Sequence, residues 1–253
     1  MAIDTPDHVL GIIIPSYRQV RALPEILAHR AVASRPVLIV DDGNTPALRR
    51  TIAELGGRHA NVEVLHRETN GGKGKAVTDG MLRAFDRGWT HALQIDADGQ
   101  HDLESIAALA ALSREHPAAV ISGIPQYDDT IPAIRKAGRE LTHFWVRIHT
   151  LGNAISDSMC GFRVYPLATT TELILHSPIG ARMDFDTDII VRLYWQGLDV
   201  VEHPVGVTYP SENVSNFRMF RDNVRITLMH TRLALQMPVR MPLRWYRDRV
   251  RLT

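Results

Sequence analysis

Two aspartates, Asp96 and Asp98, follow an apolar stretch near the middle of the chain, in HALQIDADGQHD at residues 91–102. In an extended segment, side chains two residues apart point to the same side, so both carboxylates aim at one place. Carboxylates this close repel each other unless a cation lies between them. Hard cations such as Mg²⁺ and Mn²⁺ take carboxylate oxygens and keep positions open for a substrate phosphate. The pattern indicates a divalent-metal site at a strand end, and the alternative is a strand end with solvated acids.

Strand and helix patterns alternate around this pair. Short apolar runs predict strands at residues 9–14, 37–40, 62–65, 92–95 and 119–122. Helical patterns lie between them, at residues 20–33, from Pro46 onward after an N-cap at Thr45, at 75–85 and at 102–114. This rhythm predicts an α/β fold whose mixed, mostly parallel sheet is covered by helices and binds ligands at the carboxyl ends of its strands.

Polar or glycine-rich residues follow each of the first four predicted strands. They are PSY at residues 15–17, DDG at 41–43, NGGKGKA at 70–76 and DADGQ at 96–100. Because the carboxyl ends of parallel strands meet at one edge of a sheet, we expect these four segments to share one site.

Two of these segments have more than one interpretation. The Asp41–Asp42 pair is either a cap at a helix entry or an acceptor for hydrogen bonds from a base or ribose. The NGGKGKA segment either cradles phosphate on its backbone N–H groups or is an ordinary loop. It is not a Walker A loop, because Ala76 stands where Ser or Thr must follow the lysine. Lys73 and Lys75 either offset pyrophosphate charge or are solvated.

The second half of the chain is less regular. A helical pattern spans residues 134–151, a glycine turn lies within SDSMCGFRVY at 156–165, and a short edge strand is predicted at 200–209. Asp184, Asp186 and Asp188 crowd the start of another helical pattern at residues 182–197. The helix dipole favours acids there, but three in alternation exceed what capping requires.

Composition excludes several classes of protein. The 253 residues suit one domain with an appendage, and 45% hydrophobic with 23% charged residues is ordinary for a globular protein. A net charge of +1 gives no overall field that would select nucleic acid. The single cysteine, Cys160, excludes an internal disulfide and fits a reducing compartment. Without a secretory signature or an apolar run of about 20 residues, we expect a cytoplasmic protein.

The ordered set of motifs resembles family 2 glycosyltransferases with the GT-A fold. The matching pieces are IIIPSY at residues 12–17, LIVDDGN at 38–44, NGGKGKA at 70–76, QIDADGQHD at 94–102, CGFRVY at 160–165 and DFDTDIIVR at 184–192. The DADxQH and GFR segments are nearest to the dolichol- and polyprenyl-phosphate sugar transferases. Residues 209–226 also resemble small bacterial members associated with lipid pathways.

The resemblance implies a donor site and a metal site. The donor would be a nucleotide-diphosphate sugar, bound by Pro15, Tyr17, Asp42, Lys73, Asp96 and Arg163. Asp96, Asp98 and Gln100 would hold Mg²⁺ or Mn²⁺ on the diphosphate. Asn44 departs from the serine that is usual after VDDG, and we expect it to make the same local hydrogen bonds.

The resemblance also implies inversion at the anomeric carbon and leaves the acceptor open. A hydroxyl acceptor requires a base, and Asp186 matches the family's acidic position. A phosphate acceptor is already anionic and requires positive groups, for which Arg163 and Arg135 are the candidates. Two alternatives from other classes are a sugar-phosphate nucleotidyltransferase and an inactive nucleotide-sugar-binding protein.

The chain end predicts a membrane-surface element beyond a catalytic domain at residues 1–212. Within the extension at 213–253, a helix at 217–236 places an apolar stripe beside a basic one. The apolar stripe is Phe217, Phe220, Val224, Leu228 and Leu235, and the basic stripe is Arg218, Arg221, Arg225 and Arg232. We expect the arginines to contact anionic lipid on the cytoplasmic leaflet, so that a lipid-linked acceptor meets the Asp96–Asp98 edge. The alternative is that the apolar stripe packs on the core and the arginines are merely solvated.

Overall fold

A single seven-stranded sheet organises the computed structural model, which describes residues 8–126, 133–207 and 218–251. Its strands are β1 Leu10–Ser16, β2 Val37–Asp41, β3 Val62–His66, β4 His91–Gln94, β5 Val120–Gln126, β6 Arg163–Pro166 and β7 Val200–Gly206. Their order is β3-β2-β1-β4-β6-β5-β7. Only β6 runs antiparallel to its neighbours, β4 and β5. The mostly parallel sheet is confirmed, and β7 lies at the predicted edge.

The helices of the described residues are α1 Leu23–Ala28, α2 Arg30–Ala33, α3 Pro46–Gly57, α4 Lys73–Asp86, α5 Ser105–Glu115, α6 Ala133–Thr150, α7 Leu167–His176, α8 Phe185–Trp195 and α9 Met219–Arg251. None of these helices is long and apolar enough to cross a bilayer. The sequence analysis missed β6 and α7, because their residues follow the glycine turn without a break in composition.

The strands bury both faces, as a central parallel sheet requires. Ile12 and Ile14 of β1 pack with α1, α2, α3 and α5 on one face. Ile13, which points the other way, packs with α4, α7, α8 and α9. The two-residue period therefore divides the helices into two layers and leaves the carboxyl ends of the strands at one open edge.

The prediction of a single helix at residues 20–33 is wrong, because the structure has two short helices there. His29 adopts an extended conformation with ψ 131°, which ends α1 and starts α2. The His29 Nδ1 atom accepts a hydrogen bond from the backbone N–H of Ala31 at 3.3 Å and so caps the second helix. The apolar period alone does not reveal this interruption, because it continues through both helices.

The C-terminal helix is longer than predicted. It runs for 33 residues through Pro238 and Pro242, where a helix ordinarily ends. Arg244 fastens its last turns: it is 6% exposed, stacks 3.8 Å above the Tyr194 ring and donates to the Leu198 carbonyl at 3.0 Å. The helix is therefore packed against α8 rather than a free extension.

The two stripes of α9 do not have the burial that the sequence suggested. Phe220, Val224, Leu228 and Leu235 are 81%, 43%, 63% and 77% exposed, so the alternative that this stripe packs on the core is wrong. Two of the arginines are already paired, Arg225 with Asp222 and Arg232 with Asp188. The face that packs inward carries Met229 and Leu233 instead. Phe217 lies outside the described residues.

Candidate active site

Lys73 lies at the centre of the open edge and joins two carboxylates. Its Nζ atom is 2.9 Å from Asp96, which follows β4, and 2.9 Å from Asp186 in the first turn of α8. Lys73 itself begins α4. Burial disfavours the charged lysine, but the two carboxylates outweigh it and raise the pKa of Lys73 above its ordinary value. The NGGKGKA and DADGQ segments, which were predicted to share a site, therefore meet, and Asp186 joins them from α8.

A polar layer lies directly beneath this cluster. Gln94 donates from Nε2 to the Asp186 carboxylate at 3.0 Å. In the sheet, Arg163 of β6 sits between Gln94 of β4 and Ser122 of β5. Its guanidinium is fully buried and donates to Ser122 Oγ at 3.0 Å, to the Asp186 carbonyl at 2.6 Å and to the Asp157 carbonyl at 3.2 Å. Arg163 therefore holds the backbone of Asp186 in place.

Gly161 lets the backbone approach this cluster closely. A Cβ atom at that position would lie 2.5 Å from Gln94 Nε2, 2.6 Å from Lys73 Nζ and 3.3 Å from an Asp96 oxygen. The glycine of the CGFRVY segment thus forms one wall of the site, because no larger residue leaves room for the lysine between its two carboxylates.

Asp96 and Asp98 supply a donor set that fits a cation binding together with a diphosphate. Burial is the largest cause that raises the pKa of Asp98, and the negative charge of Asp96 is the next. A cation bound between the two carboxylates would relieve the repulsion between them. No group of three or more His, Cys, Asp or Glu side chains converges on a metal position in the described residues. Mg²⁺ suits such a site, because it keeps several waters and binds through one or two carboxylates plus substrate phosphate.

Asp42 organises the NGGKGKA segment. Its carboxylate accepts hydrogen bonds from the backbone N–H groups of Gly71 at 2.9 Å and Gly72 at 2.8 Å, and it pairs with Arg67. The amides of Gly71 and Gly72, for which a phosphate cradle was one of two interpretations, therefore bind a side-chain carboxylate here. Asp41 is also bound, to Asn44, Arg49 and His66.

The three aspartates near α8 have separate tasks. Asp184 accepts the backbone N–H of Arg182 at 3.0 Å, before the helix begins. Asp188 is fully buried and accepts hydrogen bonds from Arg192, Arg232 and the Gly180 N–H. Only Asp186 faces Lys73, so the geometry distinguishes the candidate base from its two neighbours.

The other predicted residues lie around this cluster. Pro15 is buried in β1, opposite Val40. Tyr17 follows β1, is half-buried, and has the Arg18 guanidinium 5.1 Å above its ring. Gln100 is half-buried and its N–H donates to Asp98 at 3.1 Å. Lys75 is exposed and pairs with Asp79, so of the two loop lysines only Lys73 enters the site. The Arg135 side chain lies outside the described residues.

Asn44 makes the local hydrogen bonds expected of it. Its amide donates to Asp41 at 2.7 Å and to the Ser16 carbonyl at 2.9 Å, and its oxygen accepts the Arg18 N–H at 2.7 Å. It therefore ties the ends of β1 and β2 together.

Sequence reasoning missed Gln94, Gly161 and His101. Gln94 could have been recognised from the sequence, because a polar residue inside a buried strand requires a hydrogen-bond partner. His101 stacks on Phe162 with ring centroids 4.8 Å apart, and neither of its ring nitrogens has a hydrogen-bond partner among the described residues. Its place beside Asp96, at 3.7 Å, depends on tertiary contacts that spacing does not encode.

Comparison with known sequences identifies the class. The sequence pattern of glycosyl transferase family 2 matches residues 11–170, which contain Lys73, Asp96, Asp98 and Arg163. The chain belongs to this family, and it is a glycosyltransferase with the GT-A fold.

Two individual relatives indicate which members of the family this chain resembles. The undecaprenyl-phosphate mannosyltransferase of Micrococcus luteus is 28% identical over 197 residues, which cover 76% of this chain and 81% of the relative. The polyprenol monophosphomannose synthase of Mycolicibacterium smegmatis is 28% identical over 227 residues, with 85% and 82% covered. Resemblance to the polyprenyl-phosphate sugar transferases is thereby confirmed.

A solved structure supports the fold. The glucosyl-3-phosphoglycerate synthase of Mycobacterium tuberculosis in complex with UDP superposes with a TM-score of 0.67 at 13% identity, covering 90% of this chain and 80% of that one. The same enzyme with Mg²⁺ and UDP gives a TM-score of 0.62 at 12% identity, with 93% and 80% covered. At this identity the likeness establishes the fold alone.

Proposed function

We propose that this protein transfers a sugar, with inversion, from a nucleotide-diphosphate sugar to a lipid-linked phosphate. The observation that carries the proposal is the convergence of Lys73, Asp96, Asp98 and Asp186 at the carboxyl edge of the sheet. The names of the two relatives support the acceptor class, because one names undecaprenyl phosphate and the other polyprenol monophosphomannose.

The residues of the site divide the work between donor and acceptor. Asp96 and Asp98, with Gln100, hold Mg²⁺ or Mn²⁺, which when bound supplies positive charge to the leaving diphosphate. Lys73, which pairs with Asp96, adds a positive charge beside that position. Asp186 faces the acceptor side, where it takes a proton from a hydroxyl or from a singly protonated phosphate. Pro15, Tyr17 and Asp42 line the base and ribose.

An acceptor-dependent assay tests the proposal. The purified chain is incubated with a panel of nucleotide-diphosphate sugars, Mn²⁺ and a short polyprenyl phosphate, and release of nucleoside diphosphate is measured. We expect release with the phosphate acceptor and little with the matching polyprenol. Formation of nucleoside triphosphate and sugar phosphate after addition of pyrophosphate would indicate a nucleotidyltransferase instead, and absence of any product across the panel would leave only nucleotide-sugar binding.

We further propose that α9 contacts the cytoplasmic leaflet through its apolar stripe. Fully burying one Phe, Leu or Val side chain contributes about 1.5–3 kcal/mol. An arginine near an anionic surface contributes about 1 kcal/mol, and Arg225 and Arg232 are already paired. The exposed apolar residues therefore outweigh the two remaining arginines of the basic stripe, Arg218 and Arg221. This reverses the balance expected from sequence, where the arginines were the anchor.

Removing the stripe should abolish vesicle binding without unfolding the chain. In Phe220→Ser/Leu228→Ser both changes are on exposed positions, where substitutions cost little stability. We expect the wild-type chain to sediment with anionic vesicles at low and high salt, and the double variant to stay in the supernatant. Phe85→Ser, which changes an exposed aromatic residue on α4, is the matched control. Equal sedimentation of both variants would contradict the stripe as the contact.

A further inference from the structure

A small cavity lies between α7, the end of α8 and the C-terminal half of α9. Its volume is about 20 Å³, and three arginines line it, Arg192, Arg240 and Arg247. No acidic side chain is among its lining residues. Asp186 lies in the first turn of α8 and the cavity at its last turn, so the two are separated by roughly 9–15 Å of helix. The cavity is therefore distinct from the sugar-transfer site.

Arg192 places an unsatisfied donor in the wall of this cavity. The residue is 4% exposed. Its Nε donates to Asp188 at 2.7 Å and one terminal nitrogen donates to Gln236 at 3.0 Å. The other terminal nitrogen is buried and has no hydrogen-bond partner among the described residues. Since a buried donor without an acceptor is costly, the wall lacks one acceptor atom.

The two arginines of α9 at the cavity lack a carboxylate partner in the part of the chain that the structure describes. Arg247 donates to the Gln196 carbonyl at 3.1 Å, which holds it at the cavity, and Arg240 has no ion pair there. Other arginines of this helix differ, because Arg225, Arg232 and Arg244 pair with Asp222, Asp188 and Asp199. Among the described residues, positive charge at this cavity is therefore left without a carboxylate partner.

We propose that this arginine cavity binds a phosphate group. Guanidinium forks match phosphate oxygens in geometry and charge, and the neighbouring Ser177 hydroxyl adds a donor. A volume of about 20 Å³ admits one water-sized atom. One phosphate oxygen therefore enters to meet Arg192, while the remaining atoms stay in the open groove between Arg240 and Arg247.

Two sources supply this chemistry, free phosphate and the headgroup of an anionic lipid. Leu243, which lines the cavity, is 45% exposed, and the adjacent Val239 is 65% exposed. Apolar side chains beside a phosphate site match the boundary between headgroups and acyl chains. The site does not rest on the proposed sugar transfer, which is assayed separately with detergent-solubilised acceptor.

The test uses the full chain and the double variant Arg240→Gln/Arg247→Gln, which leaves Arg192 and its buried partner intact. The control is Arg50→Gln/Arg58→Gln, which removes the same charge from one exposed position on α3 and one directly after its end, in the other helix layer. Thermal stability is measured with inorganic phosphate. Binding is measured with vesicles of phosphatidylcholine and phosphatidylglycerol in equal parts.

We expect phosphate to stabilise the wild-type and control proteins but not the cavity variant. Vesicle affinity of the cavity variant should fall about thirtyfold, or about fivefold for each arginine, with little change in the control. Loss of phosphate stabilisation with unchanged vesicle affinity would assign the site to free phosphate. If the cavity variant matches the control in both measurements, the proposal is wrong.

Discussion

Asp186→Asn should lower the turnover of sugar transfer by about 10²–10⁴, the usual contribution of a general base. The amide has the shape of the carboxylate but no proton affinity near neutral pH. The donor contacts of Asp42 and Asp98 are untouched, so the affinity for nucleotide measured by calorimetry should change little. Steady-state kinetics with polyprenyl phosphate as the acceptor give the measurement.

The neighbouring aspartates provide matched controls for this substitution. Asp184→Asn keeps an oxygen for the Arg182 N–H and should transfer sugar at nearly the normal rate. Asp188→Asn removes the charge between Arg192 and Arg232 in the protein interior. Breaking a buried pair costs about 3 kcal/mol or more, so this variant should lose stability in denaturant unfolding rather than chemistry.

If Asp186→Asn lowers the turnover only slightly, the interpretation depends on the protonation state of the acceptor. A phosphate acceptor that is fully ionised has no proton to give, and Asp186 would then serve as the counter-ion that orients Lys73. Near-normal transfer to polyprenyl phosphate by Asp186→Asn would contradict a role for Asp186 as base toward the proposed acceptor.

The strand ends were predictable because the two governing rules are local. Apolar runs and the two-residue period of a strand locate β1 to β5, and parallel strands bring their carboxyl ends together. Spacing therefore predicted that Lys73 and Asp96 approach one edge, whereas the place of Asp186 in the site was implied only by the family resemblance. Spacing did not predict that Lys73 lies between Asp96 and Asp186, because that contact depends on Gly161 leaving room for the ammonium group.

Arg163 illustrates what sequence does not encode. Arginines are mostly exposed, so one near a candidate phosphate site suggests an anion contact. The structure places it under the site, where its donors meet Ser122 and two main-chain carbonyls. A direct contact with donor or acceptor would require Arg163 to leave these partners, so its assignment to the donor site stays a prediction.

The stripes of α9 were predictable in composition but not in burial. Besides the exposed apolar stripe, α9 carries a second set of apolar residues that includes Met229 and Leu233. Helical periodicity alone does not say which of the two sets packs on the core. The choice follows from long-range pairs: Arg232 with Asp188, and His149 on α6 with His230, whose ring nitrogens are 3.1 Å apart. These contacts turn Met229 and Leu233 inward and leave Leu228 outside.

Asp98→Asn should remove metal-dependent binding of the donor nucleotide while leaving the fold intact. Asp96 is held by Lys73, whereas the one hydrogen bond described for the Asp98 carboxylate comes from the Gln100 N–H. Asp98 is therefore the carboxylate better placed to bind a cation, and burial together with the charge of Asp96 raises the pKa of Asp98. An amide at this position relieves the repulsion but binds Mg²⁺ or Mn²⁺ far more weakly.

Thermal stability with nucleoside diphosphate, with and without Mn²⁺, gives the readout. Ligand at about 100 times its Kd adds roughly 2.7 kcal/mol of stability, and this gain should require Mn²⁺ in the wild-type chain and vanish in Asp98→Asn. Asp102→Asn is the matched control, because Asp102 lies in the same loop but accepts hydrogen bonds from Glu104 and Ser105 at the start of α5. The control should keep the full gain. Equal Mn²⁺-dependent stabilisation of Asp98→Asn and the wild-type chain would contradict Asp98 as a ligand and would move the metal away from this edge.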